Sequence, residues 1–313
     1  MDKSEQFAKP YHNQTLLEFS RRFPTEEACR KYLLKMRWPK GYTCPKCGKR
    51  TSWFHENRKL HECRACGFQT SVTAGTLFHK SRTPLQKWFW AIYLMATSKK
   101  GVSMVYLQKH LGIRSYRTVW MMGHKIRRAM FEREALYKLK GTVQVDEMPV
   151  GGYQSLAHRR KLRVHKKTDF LIAIQEGAKG NPRFVTFEEL ESSFKEHVLP
   201  ALEKRIAKGS RLKSDEAGVF VQAGKHGYRV KAVPMSRDPE TAKEHLHWVF
   251  VLSSNLKRGL LSTYHGCFPK YRKAYLAEFA YRFNRRNWPH QAFDRLLFAC
   301  AQAGPKSMAV LSA

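Results

Sequence analysis

Acidic side chains are scarce in this sequence of 313 residues. It contains 25 Asp and Glu against 58 Lys and Arg, which gives a formal net charge of +33 at pH 7. The basic residues recur from Arg21 to Arg295, interleaved with Trp, Tyr and Phe. Lys and Arg displace counterions from a phosphate backbone and aromatic rings stack on bases, so this distribution predicts a nucleic-acid partner. An aromatic content of 12% indicates folded cores and argues against the main alternatives, a ribosomal extension or a membrane-surface role.

Long apolar runs are also missing. No stretch approaches the roughly 18 apolar residues that cross a bilayer. The N-terminal residues, MDKSEQFAKPYHNQ, lack the apolar core of a signal peptide. We therefore expect no membrane association, a cytoplasmic location and reduced cysteines, whose spacing then matters more than their number.

Four of the seven cysteines form two matched pairs. Cys44 and Cys47 are followed, fifteen residues later, by Cys63 and Cys66, and a glycine stands directly after each pair. Two C-x2-C turns at this spacing predict a tetrahedral structural Zn²⁺ site in a small β-ribbon. A redox role for one C-x2-C pair is the alternative, and the second matched pair argues against it.

The segment 81–138 is predicted to be helical and helix-turn-helix-like. Pro84 opens an apolar helix, Gly112 ends a short one, and a longer basic helix begins near Ser115. The predicted DNA contacts of this stretch are Arg114, Arg117, Lys125, Arg127 and Arg128. Ordinary core helices produce the same pattern, so it is the basic charge that favours DNA binding.

From Gly141 onward the pattern changes to strands and helices. Three strands and a basic turn after the first strand precede an amphipathic crossover helix, and two short strands and two helical segments follow it. The predicted strands cover 142–146, 169–176, 182–187, 210–215 and 228–233. The basic turn covers 158–167, the crossover helix 188–209, and the two helical segments 239–262 and 270–286. This order predicts an RNase H-like α/β domain.

Two aspartates end predicted strands of this domain. Asp146 follows the apolar run 142–145, and Asp215 closes the strand after the crossover helix. The two strands are neighbours in the inferred sheet, so both carboxylates reach one edge, where they repel unless a cation lies between them. Oxygen ligands suit Mg²⁺ or Mn²⁺, and two such ions promote in-line displacement at a phosphodiester. The alternative is that each Asp pairs with Lys or Arg. Glu147 is expected to face away from Asp146.

Five linked motifs run along the chain. They are CPKCG at 44–48, CRACGFQTSVTAGTLFHKSRTPLQKWFWAIYLM at 63–95, LKGTVQVDEMPVGG at 139–152, NLKRGLLSTYHG at 255–266 and YLAEFAYRFNRR at 275–286. Their order resembles the zinc-ribbon transposases of the DDE superfamily, specifically insertion-sequence family 1595. The resemblance implies a prokaryotic, nucleoid-associated DNA transposase that cleaves and transfers strands at the ends of a mobile element. It also implies double-stranded DNA as partner and a homo-oligomer assembled on that DNA, with Asp146 and Asp215 as the first two catalytic acids.

The third catalytic position departs from the family pattern. The family has Glu, His or Asn seven residues before the Lys of an L-K-R run, and here Phe250 stands seven residues before Lys257. His247 shares a helix face with position 250 and is the predicted substitute. Glu244 and Asn255 are the other polar candidates nearby.

Three functions therefore stay open: an active transposase, a catalytically inactive DNA-binding relic, and a metal-dependent nuclease. In each, Lys257 and Arg258 of the L-K-R run are predicted DNA contacts.

We predict five parts in the chain. They are a helical N-terminal segment at 1–40, a zinc ribbon at 41–80, the helix-turn-helix-like region at 81–138, the RNase H-like domain at 139–290 and a C-terminal tail at 291–313.

Overall fold

The computed structural model describes residues 14–151, 167–191, 195–234 and 239–307. Contacts divide the chain into two compact units. The N-terminal unit comprises residues 1–98, 104–130 and 286–311, and the α/β unit comprises 99–103, 131–285 and 312–313. In the part of the chain that is described, no helix combines the length and the apolar character that a membrane crossing requires.

Eleven α-helices and eight strands follow one another along the described part of the chain. They are α1 (Leu16–Arg22), α2 (Glu26–Arg37), β1 (Ser52–His55), β2 (Leu60–Cys63), β3 (Gln69–Thr70), α3 (Leu85–Thr97), α4 (Met104–His110), α5 (Tyr116–Glu134), β4 (Thr142–Val150), β5 (Thr168–Glu176), β6 (Pro182–Leu190), α6 (Lys195–Arg205), β7 (Arg211–Asp215), α7 (Gly218–Gln222), β8 (Arg229–Val233), α8 (Pro239–His245), α9 (His247–Tyr264), α10 (Arg272–Arg285) and α11 (Ala292–Gln302).

An aromatic cluster holds the N-terminal unit together. The rings of Phe19 and Phe293 lie 4.8 Å apart and those of Phe23 and Phe89 lie 5.0 Å apart, in edge-to-face geometry. The carboxylate of Glu26 accepts hydrogen bonds from the backbone N–H groups of Leu85 and Gln86 at 2.8 and 3.0 Å. Glu26 thus supplies from α2 the acceptor that Pro84, whose side chain has no hydrogen-bonding atom, does not provide to the first N–H groups of α3.

The predicted C-terminal tail at 291–313 contains a packed helix, α11, which corrects the prediction. Phe293, Leu296, Leu297 and Cys300 recur at helical spacing and are all buried, and α11 packs against α2 and α3. Asp294 on α11 also pairs with Arg22 at 3.1 Å. The helix Ala292–Gln302 is therefore a folded part of the N-terminal unit.

The α/β unit is built on one five-stranded sheet with the order β6-β5-β4-β7-β8. The pairs β4–β5 and β5–β6 are antiparallel, and β4–β7 and β7–β8 are parallel. One face packs on α6 and α7, through residues such as Val143 and Val145. The other face packs on α9 and α10, through residues such as Met148 and Val150. The structure confirms the prediction that the strand carrying Asp146 and the strand carrying Asp215 are neighbours.

Several predicted boundaries are wrong: the crossover helix ends at Arg205 rather than at residue 209, and the segment predicted at 239–262 forms two helices, α8 and α9. The strand β4 continues through Asp146 to Val150, because its antiparallel pairing with β5 persists after its pairing with β7 has ended. The crossover helix was predicted to begin at residue 188, but β6 extends to Leu190 and α6 begins at Lys195. The predicted basic turn at 158–167 lies, apart from Lys167, outside the described residues.

Candidate functional site

The ribbon presents the four matched cysteines from two equivalent turns. The N–H of Gly48 donates to the carbonyl of Cys44, and the N–H of Gly67 donates to that of Cys63, each at 2.9 Å. Both glycines have positive φ, +74° and +66°. A side chain would strain these positions, so the glycine after each pair is what lets the turn close. The antiparallel sheet β1-β2-β3 carries the second turn.

The thiol groups of these cysteines converge on one point. Their sulfur atoms all lie within 4.8 Å of one another, with Cys44 and Cys66 at 3.7 Å and Cys47 and Cys63 at 3.5 Å. Zinc–thiolate bonds of about 2.3 Å in a tetrahedron place the sulfurs roughly 3.8 Å apart, so the donor set fits Zn²⁺. Burial raises the pKa of the Cys44 thiol, but hydrogen bonds from the backbone of Cys47 and Lys46 and from the side chains of Cys47 and Cys66 together lower that pKa to about 6.

Asp146 lies where β4 and β7 cease to pair. The parallel register joins Val143 to Leu212 and Gln144 to Lys213, so Asp146 and Asp215 each stand two residues beyond the last pair. Because successive side chains of a strand point to opposite faces of the sheet, Asp146 lies on the α9 face of β4 with Met148 and Val150. Asp146 and Asp215 are both half-buried, and Asp146 Oδ1 accepts the Glu147 N–H at 2.7 Å.

Electrostatics tie the two aspartates together. Burial raises the pKa of Asp146, the hydrogen bond from the Glu147 amide lowers it, and the negative charge of Asp215 raises it again. The positive charge of Lys257 lowers it, and the net result is a pKa of about 6. The two carboxylates therefore lie within electrostatic reach of one another, as the sequence predicted.

Glu147 belongs to the same acidic environment, which sequence reasoning missed. Burial raises its pKa first, and then the charges of Asp146, Asp169 and Asp215 raise it, to about 7. Alternation still places Glu147 on the α6 face, with Val145. No spacing rule signals Asp169, because it reaches this region through the pairing of β5 with β4, in which it lies opposite Pro149.

The start of α9 is fixed by Gln144, another residue that the sequence did not single out. Its side-chain oxygen accepts the N–H groups of Trp248 and Val249 at 3.0 and 3.2 Å. Its amide nitrogen donates to Glu176 at 2.7 Å, and Glu176 in turn pairs with Lys213 at 2.8 Å. Gln144 is buried, so it locks the first turn of α9 onto β4 just before Asp146.

Two of the residues considered for the third catalytic position, His247 and Glu244, do not form a three-ligand group with the aspartates. His247, Glu244 and Asn255 are exposed, and Phe250 is half-buried against the core below α9. Among the described residues, groups of three or more His, Cys, Asp or Glu close enough to share one ion are confined to the four cysteines. His247 and Glu244 therefore do not complete a three-ligand site with the aspartates in this conformation.

The predicted DNA contacts differ in exposure. Arg114, Arg117, Lys257 and Arg258 are exposed, and Lys125 and Arg128 are half-buried. Arg127 is 0% exposed, which corrects its assignment as a DNA contact. It lies on the core side of α5 with Ile126 and Met130, where helical spacing turns it away from solvent.

Comparison with known proteins gives two family matches. The sequence model of the ISXO2-like transposase domain matches residues 138–284, and that of the transposase zinc-ribbon domain matches residues 24–69. Together they match well over half of the chain.

A curated relative is named as an uncharacterized protein in the transposable element ISH50 of Halobacterium salinarum. It is 27% identical over 131 residues, which are 41% of this chain and 43% of the relative. The chain thus spans less than half the length of this relative. The cysteine cluster and the paired strands carrying Asp146 and Asp215 fall inside the two matched domains. The chain belongs to the IS1595 transposases, with a transposase zinc-ribbon domain followed by an ISXO2-like transposase domain.

Proposed function

We propose that this chain is a DNA transposase that binds the ends of its element and cleaves and transfers DNA strands, using divalent ions held by Asp146 and Asp215. The observation that carries the proposal is the mutual influence of these carboxylates at the edge where β4 and β7 separate. Like charges so placed favour a cation between them. When bound, Mg²⁺ or Mn²⁺ would activate an attacking hydroxyl and stabilise the leaving oxygen of a phosphodiester.

The strand order supports an RNase H-like fold for the α/β unit. Counted along this unit the sheet reads 3-2-1-4-5, with the first three strands antiparallel and the last two parallel to the first. The first and fourth strands are then neighbours, and these strands carry Asp146 and Asp215. The fold brings together two acids that are 69 positions apart in the sequence.

The chain's own residues would orient the reacting groups. Gln144 holds α9 in register with β4, and Lys257 on α9 supplies a positive charge that lowers the pKa of Asp146. Lys257 and the neighbouring Arg258 are both exposed and would bind phosphates of the DNA backbone. Four thiolates closing on Zn²⁺ would fold the ribbon rather than catalyse, since no ligand position stays open. Two DNA ends would require assembly of more than one copy.

A second candidate is a DNA-binding relic of a transposase. The observation that favours it is Phe250, an apolar residue packed against the core where the family places a polar ligand. A phenyl ring offers no lone pair to a metal ion. Under this alternative the DNA surfaces persist while strand cleavage is lost.

Cleavage of duplex DNA carrying the terminal repeats that flank the gene tests the proposal. The wild type should nick this DNA only with Mg²⁺ or Mn²⁺, and Asp146→Asn or Asp215→Asn should abolish nicking. DNA affinity should stay equal or rise slightly, because a negative charge near phosphate is gone. Glu147→Gln, which changes the opposite face of β4, should keep most activity.

The outcomes separate the candidate functions. Full cleavage by Asp146→Asn would refute the metal-site proposal. Specific binding without cleavage by the wild type would favour the relic. Cleavage that never joins strands would instead identify a metal-dependent nuclease, the third possibility.

A further inference from the structure

A basic pocket of about 300 Å³ lies in the N-terminal unit between the segment 81–83 and α5. Arg82 lines it from the segment, and Arg117 and Lys125 line it from the helix. No Asp or Glu is present among the described residues that form its walls. Three cations without a carboxylate make a site for an anion.

The spacing of the lining residues along α5 places them on the side of the helix that faces this pocket. Arg117, Met121 and Lys125 stand at i, i+4 and i+8 and so share one face. Eight residues rise about 12 Å along a helix, so the two cations stand two turns apart with Met121 between them. Arg82 faces them from the other wall, and long flexible stems let the charged groups converge.

The environment of Lys125 favours binding of an anion. Lys125 is half-buried, and this burial lowers its pKa. Removing an ammonium from water without an opposite charge costs free energy, which an anion entering the pocket would offset. Met121, Met122 and the buried Trp88 supply apolar walls, and a lower local dielectric strengthens any ion pair formed there.

The segment 81–83 is held in place before any ligand arrives. Ser81 Oγ accepts the indole N–H of Trp88 at 3.0 Å and the backbone N–H of Thr83 at 3.2 Å. The backbone N–H of Ser81 donates to the carbonyl of Phe78 at 3.1 Å. With its oxygen accepting two bonds, the Ser81 hydroxyl keeps its own proton for a further acceptor. Thr83 and Thr118 add hydroxyl groups to the same walls.

We propose that this pocket binds a backbone phosphate of double-stranded DNA, clamped between Arg82 of the segment 81–83 and Arg117 and Lys125 of α5. The inference rests on the DNA binding in the proposed function and adds a defined phosphate site to it. Phosphate contacts fix orientation without reading sequence. The pocket would therefore set how α5 lies on the duplex.

Salt-dependent binding of the full-length chain to a duplex of arbitrary sequence tests the site. Arg82→Gln, Arg117→Gln and Lys125→Gln should each weaken binding by about fivefold or more and reduce the slope of log K against log salt by about 1. Arg21→Gln removes the same charge from an exposed residue of the same unit that does not line the pocket, and it should change affinity less than about twofold.

Pocket variants that behave like Arg21→Gln would overturn the inference while leaving DNA binding intact. A wild type that does not bind duplex DNA at low salt would overturn both this site and the proposed function. Loss of strand cleavage alone bears on the proposed function and not on this site.

Amine-reactive labelling of Lys125, read by peptide mass spectrometry, separates DNA from free phosphate. Duplex DNA should protect Lys125 in the wild type, and Arg82→Gln should lose that protection while thermal unfolding shows it still folded. Protection by inorganic phosphate at about 10 mM equal to that by DNA would overturn the assignment, since a backbone site gains its affinity from many linked phosphates.

Discussion

Replacing Asp146 with Asn should make the metal-free protein more stable. In the fold the pKa of Asp146 is raised from 3.8 to about 6, chiefly by burial. The folded state thus holds the proton of Asp146 more tightly than the unfolded state does. The contribution of this proton to the free energy of unfolding is fully present at low pH and is lost as the pH rises through the pKa of the folded state. Ionised Asp146 then costs up to about 3 kcal/mol at about pH 8. Asn keeps the size and the oxygen that accepts the Glu147 N–H, but it carries no charge.

Urea unfolding in buffer without added divalent ions measures this gain. Asp146→Asn should exceed the wild type by about 1–3 kcal/mol at about pH 8, and the difference should shrink steadily below about pH 6 and nearly vanish below about pH 4. Glu240→Gln, an exposed acid on α8, is the control and should change little at either pH. Equal or lower stability of Asp146→Asn at about pH 8, with the control unchanged, would refute the burial and repulsion inferred for this carboxylate.

Three further predictions concern other parts of the chain. Cys63→Ser should abolish zinc binding, measured by metal analysis, and remove hydrogen-exchange protection across 52–70, whereas Cys29→Ser, also at a buried cysteine, should keep the metal. Gln144→Leu leaves the first-turn N–H groups of α9 without their acceptor and should cost about 2–4 kcal/mol in denaturant unfolding, whereas the exposed control Glu240→Gln should change the free energy of unfolding little. His247→Ala should leave Mn²⁺-dependent nicking nearly unchanged, whereas Phe250→Glu should raise it. The reverse order of activities would restore His247 as the third ligand.

Local patterns predicted much of the fold. The apolar and β-branched runs of β4, β5 and β6 and the matched cysteine turns are short-range signals, and the structure confirms them. The end of β4 was placed too early because Asp is rare in strands, but pairing with β5 outweighs that preference. The helix α11 was missed although its buried residues recur at helical spacing. A fragment ending before the α/β unit would lack α11 and expose the aromatic core that it covers.

The candidate site was predictable only where the inferred order of strands brings distant residues together. Asp146 and Asp215 could be joined because the strand order follows from the order of elements. Gln144 gave no signal, because its role is to accept two N–H groups from a helix more than a hundred residues away. Arg127 was wrongly predicted to contact DNA because the basic residues of α5 were assigned to DNA regardless of the helix face on which they lie. One face of this helix must pack against the core, and Arg127 lies on that face.

Binding of Mn²⁺ to the zinc-loaded protein, followed by electron paramagnetic resonance, tests the central claim most directly. Carboxylates suit Mn²⁺ while thiolates retain zinc, so the titration reports on the carboxylate site. The wild type and Glu240→Gln should bind Mn²⁺ alike, and Asp146→Asn and Asp215→Asn should each lose that binding. Unchanged Mn²⁺ affinity in both aspartate variants would contradict the account.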